Sequence, residues 1–249
     1  MRLKTALLAA AFAVLAVPAS ADEFNPAQKA EIETMIRSYL LENPEVLEEA
    51  FGKLQDKRRE AESAAQRQAV SENQNTLENS SRQAVIGNPE GDVTLVEFFD
   101  YNCGYCRHAN SDLQKLIEEN PNLRVVLKEF PVLGPPSVEA AQVSIAVNTV
   151  APDRYAEFHD KLISSENRVD GAAALAIVDE MELDRAAIEK AMDADNVQTT
   201  IEEVYDLANS LNLTGTPSYV VAGNAYVGAV GFDTLQASIN EATCGETSC

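Results

Sequence analysis

Positive charge is scarce in this sequence: 19 Lys and Arg stand against 40 Asp and Glu, a formal net charge of −21. A surface this acidic repels phosphate backbones and anionic headgroups, which argues against nucleic acid and against anionic lipid as partners. Histidine is limited to His108 and His159, so a zinc site has few imidazoles to draw on. Only one long apolar run exists, residues 6–17, and it is shorter than the ~20 residues of a bilayer span. Cysteine is limited to Cys103, Cys106, Cys244 and Cys249.

That one apolar run comes after Arg2 and Lys4 and precedes Pro18-Ala19-Ser20-Ala21. Charge, apolar stretch and small residues in that order predict a cleavable secretory signal over residues 1–21. Removing Arg2 and Lys4 from the 19 basic residues leaves 17 against 40 acidic, about −23 for the mature chain. All four cysteines lie after the cleavage point, in a compartment that tolerates lasting disulfides.

Residues 22–84 differ in pattern from the rest of the chain. Ile32, Met35, Ile36, Tyr39 and Leu40 form one helical stripe, and Val46, Leu47, Ala50, Phe51 and Leu54 form a second. Asn43-Pro44 interrupts them, since proline cannot continue the hydrogen-bond ladder. Residues 56–81 carry helix formers but almost no large apolar side chain. They are expected to be a solvated helix, a linker, or both. The two stripes then need a partner, and homo-oligomer formation through residues 22–60 is the expectation.

The body is expected to start near Val85. Residues 93–99 (VTLVEFF) read as a buried strand, residues 104–119 as a helix stopped by Asn120-Pro121, and residues 123–130 as a second strand. Residues 137–210 look helical throughout, with apolar residues at three- and four-residue spacing. A hairpin around Gly223-Asn224 and a final helix over 232–242 complete the chain. The order strand, helix, strand, helical block, hairpin, helix is that of an α/β sheet with helices inserted into one connection.

Cys103-Gly104-Tyr105-Cys106 falls directly after a strand and at the start of a helix. Unpaired N–H groups and the positive dipole end stabilise a thiolate there. The first cysteine is expected to titrate within ~3.5–7.5, below the ordinary ~8.5. Cys103 would attack a disulfide and Cys106, one turn in, would resolve it. The rivals are weaker. Zinc would need Cys244 and Cys249 as well. Haem attachment needs histidine after the second cysteine, where Arg107 stands. A purely structural bridge across so small a loop adds little stability. Neither a cofactor nor a resident metal is expected.

Residues 97–106 (EFFDYNCGYC), with Thr216-Pro217 far downstream, resemble the DsbA-like branch of the thioredoxin superfamily. The resemblance covers about residues 85–243. It implies a thioredoxin fold with an inserted helical domain over about 137–210 of the 85–249 body, preceded by the helical extension. Residues 41–47 (LENPEVL) resemble the leading segment of suppressor-of-copper-sensitivity C (ScsC) proteins, some of which self-associate and act as isomerases. The resemblance makes Pro217 a cis-proline beside the cysteines and gives Thr216 backbone groups for an extended substrate strand. Gly104 and Tyr105 join them in the substrate-binding set. It also makes Glu97 a buried acid that moves a proton for Cys106. The residues themselves leave open a salt bridge from Glu97 to Lys128. Cys244 and Cys249 are read as a structural disulfide or as an accessory redox or copper-binding pair.

The expected activity is periplasmic thiol–disulfide exchange on disulfide-containing or unfolded exported proteins, as an isomerase kept reduced by a membrane redox partner. A monomeric dithiol oxidase and a copper-binding or chaperone module using the same thiols are the alternatives.

Overall fold

The structure, a computed structural model, describes residues 24–249; the expected secretory signal lies outside them. The chain divides into two units, one ending at Arg58 and the other running from Arg59 to Cys249.

In the first unit, helix α1 (Pro26–Glu42) begins at a capping box. The Asn25 side chain accepts from the N–H groups of Ala27 and Gln28, and the Gln28 side chain accepts from the Asn25 N–H. Pro26 fills the first helical position, where no N–H is needed. Asn43-Pro44 then breaks the helix, and α2 (Glu45–Asn79) starts. Helix α1 buries no residue. Met35, Ile36, Tyr39, Leu41 and Phe51 are all more than half exposed (65%, 53%, 55%, 70% and 63%). These apolar side chains are left uncovered.

The second unit is built on a five-stranded mixed sheet of order β1-β3-β2-β4-β5. Its strands are β1 (Ala84–Gly87), β2 (Val93–Phe99), β3 (Leu123–Glu129), β4 (Ser218–Val221) and β5 (Asn224–Val227). Strands β2 and β3 are parallel and are joined through α3 (Gly104–Glu119), as a parallel pair requires a crossover. The other pairs are antiparallel. Strand β1 is an addition to the expected order. Its four residues, AVIG, are too few to show a period, and only pairing with β3 makes them a strand.

Both faces of β2 and β3 are covered, which is why they read as continuous apolar runs. Leu95, Phe99, Val125 and Leu127 pack with Leu113, Leu116, Leu235 and Ile239 on one face. Val96, Phe98, Val126 and Phe130 pack with Leu207 and Leu211 on the other. Between β3 and β4 lie α4 (Pro135–Val150), a 3-10 turn at Pro152–Arg154, α5 (Tyr155–Ile163), α6 (Gly171–Glu180), α7 (Arg185–Met192) and α8 (Asp195–Ser210). Helix α9 (Phe232–Cys244) comes after the hairpin.

Two expectations are corrected. Residues 56–81 are not simply solvated: Val70 and Leu77 of α2 are 5% and 1% exposed and belong to the second core. The end of α2 is held by polar groups of the sheet. Lys128 Nζ donates to the Thr76 carbonyl at 2.8 Å and to Gln83 Oε1 at 2.9 Å, and Arg124 donates to the Glu78 carbonyl at 2.8 Å. Cations at the last carbonyls of a helix meet its negative end. Burial pushes the Lys128 ammonium down to about 8. The second correction is the hairpin turn. Ala222 (φ 50°) and Gly223 (φ 73°) are its central residues, one position earlier than the sequence suggests. A two-residue turn with both φ positive favours Asn or Gly, so the Gly-Asn dipeptide points one residue too far along.

Candidate active site

Cys103 is the N-cap residue of α3, with extended backbone (φ −81°, ψ 114°). Its N–H is taken by the Asp100 carbonyl at 3.0 Å, and its own carbonyl accepts from Arg107 N–H at 3.1 Å. Cys103 and Cys106 are free thiols, 7% and 1% exposed. The Asp100 carboxylate fixes the approach to them. One oxygen accepts from Asn102 N–H at 2.8 Å, the other from Leu133 N–H at 2.9 Å.

The Thr216-Pro217 peptide is cis, and Cys103 Sγ donates to the Thr216 carbonyl at 3.2 Å. The Pro217 carbonyl is already used by Gly228 N–H at 2.8 Å. Two segments 113 residues apart thus meet at one sulfur.

The two thiols are pushed in opposite directions. Cys103 is lowered from 9.0 to about 5, chiefly by a hydrogen bond from Cys106, then by the Thr216 side chain and the N–H groups of Cys106 and Tyr105; burial opposes the shift. Cys106 is raised far above the thiol range by that same hydrogen bond, by burial and by the charge of Glu97. At neutral pH the site therefore holds one thiolate and one thiol, with the negative charge on Cys103.

Glu97 lies on β2 opposite Tyr219 of β4. Burial raises its carboxyl from 4.5 to about 8, Tyr219 hydrogen-bonds to it, and the Cys103 charge adds to the rise. The alternative salt bridge to Lys128 is excluded by register. Lys128 pairs with Phe98, so it projects to the opposite face of the sheet from Glu97. Gly104 and Tyr105 are exposed on the first turn of α3, Tyr105 by 72%. Cys244 and Cys249 are bonded to each other, not to Cys103 or Cys106.

Three contributors were not legible in the sequence. Tyr219 is a strand residue whose role rests on register. Asp100 reads as an ordinary turn acid. Glu129, at the end of β3, is fully buried among hydroxyls. It accepts from Tyr155 at 3.2 Å and Tyr101 at 3.4 Å, while Tyr101 bonds Ser144 at 2.8 Å and His159 Nδ1 at 3.1 Å. Burial lifts Glu129 to about 8 and lowers His159 to about 4, so the cluster is neutral near pH 7. Tyr101, two residues before Cys103, is anchored in it.

A strand, a dithiol turn at a helix start and a cis-proline against the first sulfur define the thioredoxin-fold class of thiol–disulfide oxidoreductases. The chain belongs to the DSBA-like thioredoxin domain family, which it matches over residues 94–240. Residues 28–61 match the copper resistance protein ScsC N-terminal domain. A thioredoxin-like oxidoreductase from Silicibacter pomeroyi is 38% identical, with 69% of this chain and 98% of that chain covered and a TM-score of 0.66. ScsC of Proteus mirabilis, in a transitional conformation, is 29% identical, with 89% and 98% covered and a TM-score of 0.66. Among curated relatives, the Na(+)/H(+) antiporter NhaA 1 of Salinispora arenicola is 28% identical over 166 residues, covering 66% of this chain. The chain spans 25% of the length of that antiporter and of NhaA 3 from Salinispora tropica.

Proposed function

We propose that the protein exchanges disulfides in exported polypeptides of the periplasm and works as an isomerase. The observation that carries the chemistry is the Cys103 thiol lowered to about 5 while Cys106 beside it stays protonated. The Cys103 thiolate attacks a substrate disulfide. One sulfur joins it in a mixed disulfide and the other leaves as a thiolate. A substrate thiolate then displaces Cys103, giving a rearranged substrate with no net oxidation. Alternatively, Cys106 displaces the substrate, which leaves reduced, and a Cys103–Cys106 disulfide remains. Loss of the Cys103 charge in the mixed disulfide removes one cause of the raised Glu97 carboxyl, and in its ionised form Glu97 accepts the Cys106 proton in that second route. Thr216, Pro217, Gly104 and Tyr105 form the surface that a substrate strand meets. A membrane redox partner returns Cys103 to the thiolate.

The isomerase preference rests on the exposed apolar stripes of α1 and the start of α2. Through residues 22–60 they support a homo-oligomer. Several thiolates held together present a misfolded substrate with a high effective concentration of attacking groups. Cys244–Cys249 is proposed as a structural clasp on the C-terminal tail. The deciding experiment is refolding of a scrambled multi-disulfide substrate. Full-length protein is expected to restore activity, Cys103→Ser to lose it, and a copper chelator to leave it intact. Loss on chelation supports the copper-holding alternative. Net oxidation of thiols without rearrangement supports the oxidase.

A further inference from the structure

A cleft of about 360 Å³ beside the dithiol is lined by Asn102, Arg107, Leu133, Glu166, Asn167 and Arg168. The cleft is built, not incidental. Asn102, next to Cys103, donates to the Val169 carbonyl at 2.7 Å and to Ser137 Oγ at 3.0 Å, and its Oδ1 accepts from Val169 N–H at 2.8 Å. It thereby staples the loop of Arg168 to the active-site turn. On the other wall, Arg107 comes directly after Cys106 in α3.

In a chain of charge −21, arginines are expected to be paired. Among the described residues, Arg82, Arg154 and Arg185 are paired with carboxylates, Arg67 and Arg124 donate to neutral oxygens, and Arg37 and Arg58 on the long N-terminal helices enter no ion pair. Arg107 and Arg168 enter no ion pair and no side-chain hydrogen bond there. Arg107 Nε is buried without any partner. A buried N–H left unpaired costs ~1–3 kcal/mol, and the guanidinium that carries it belongs to a residue lining the cleft. Glu166 on the same rim leaves the lining with two positive charges and one negative.

We infer that this cleft binds a carboxylate carried by the disulfide-bearing substrate, and so selects substrates by charge next to the scissile bond. The inference rests on the exchange activity proposed for the dithiol. A carboxylate offers acceptors that match the planar guanidinium fork. Two sources share that chemistry: a small acidic thiol in disulfide form, and an Asp or Glu beside a cysteine of a polypeptide.

The test uses the reduced full-length protein and follows its oxidation by stopped flow. The probes are 3,3′-dithiodipropionate, the neutral 2-hydroxyethyl disulfide, and a peptide disulfide carrying Glu or Gln beside its cysteine. The Arg107→Gln/Arg168→Gln variant is expected to lower the ratio of the dithiodipropionate rate to the neutral rate about five- to tenfold, with high salt having the same effect. The neutral rate corrects for any change in the thiolate. A response confined to the small dianion assigns the cleft to acidic thiols. A response confined to the Glu peptide assigns it to polypeptides. Arg168→Gln alone, at an exposed position, covers the case in which the Arg107 change prevents folding. An unchanged ratio for both probe pairs overturns the proposal. A wild-type protein inert toward the neutral disulfide would instead overturn the exchange activity itself.

Discussion

Glu97 and Tyr219 stand opposite each other in the β2–β4 pairing, and the tyrosine hydrogen-bonds the buried carboxyl. That pair puts a proton-holding group under Cys106 without any counter-ion. The carboxyls of Glu97 and Glu129 are both raised from 4.5 to about 8. A raised group contributes stability that is fully present below its unfolded value and lost as pH rises through the folded one. The contribution of these carboxyls to the dithiol form should therefore decline between 4.5 and about 8. Glu97→Gln should gain stability over the parent at pH 8, by more than about 1 kcal/mol, and much less at pH 4.5. Urea unfolding of the reduced proteins at both values checks this. The same variant should slow resolution of a mixed disulfide at least ~10-fold.

Cys103 titrates the other way. Its thiol is lowered from 9.0 to about 5, so its contribution is present above 9 and lost as pH falls through 5. Thiolate absorbance at ~240 nm is expected to rise with a midpoint near 5. Cys103→Ser should abolish that step, whereas Cys106→Ala should shift it upward by removing the hydrogen bond from the second thiol. A midpoint above 8 for the native protein would contradict the geometry.

Lys128 holds the end of α2 through Thr76 and Gln83. Lys128→Met keeps the volume but leaves those two acceptors buried. The cost should be ~2–3 kcal/mol in chemical unfolding. Hydrogen exchange should quicken most at the end of α2, around Val70 and Leu77.

Ala222 occupies the left-handed region (φ 50°) at the first central position of the hairpin turn. Ala222→Asn should raise stability by about 1 kcal/mol, because asparagine tolerates that conformation. A melting curve suffices to detect it. Activity should be unchanged.

Met35 and Phe51 are 65% and 63% exposed. If the stripes join copies of the chain, Met35→Glu with Phe51→Glu should yield monomers in sedimentation. Those monomers should still oxidise thiols but rearrange scrambled substrates poorly. A native protein that sediments as a monomer would remove the basis for the isomerase preference.

Much of this site could be read from residue order alone. A strand, a dithiol and a helix start are contiguous, so local physics places the thiolate. The break at Asn43-Pro44 was equally local. What escaped depended on pairing across the chain. Strand β1 has only four residues. Val70 and Leu77 are isolated apolar positions in a polar helix, and their burial is decided by the sheet face that receives them. The partner of Glu97 is set by strand register, which made it Tyr219 instead of Lys128. The charge of the cleft at Arg107 depends on a loop some sixty residues later in the chain, brought in by Asn102.

The bond from Cys103 to the Thr216 carbonyl exists only while the sulfur carries its hydrogen. Once the proton departs, one lone pair of that oxygen is released. If a substrate strand docks beside Pro217 as proposed, arming the nucleophile also leaves that carbonyl freer to receive an incoming backbone N–H.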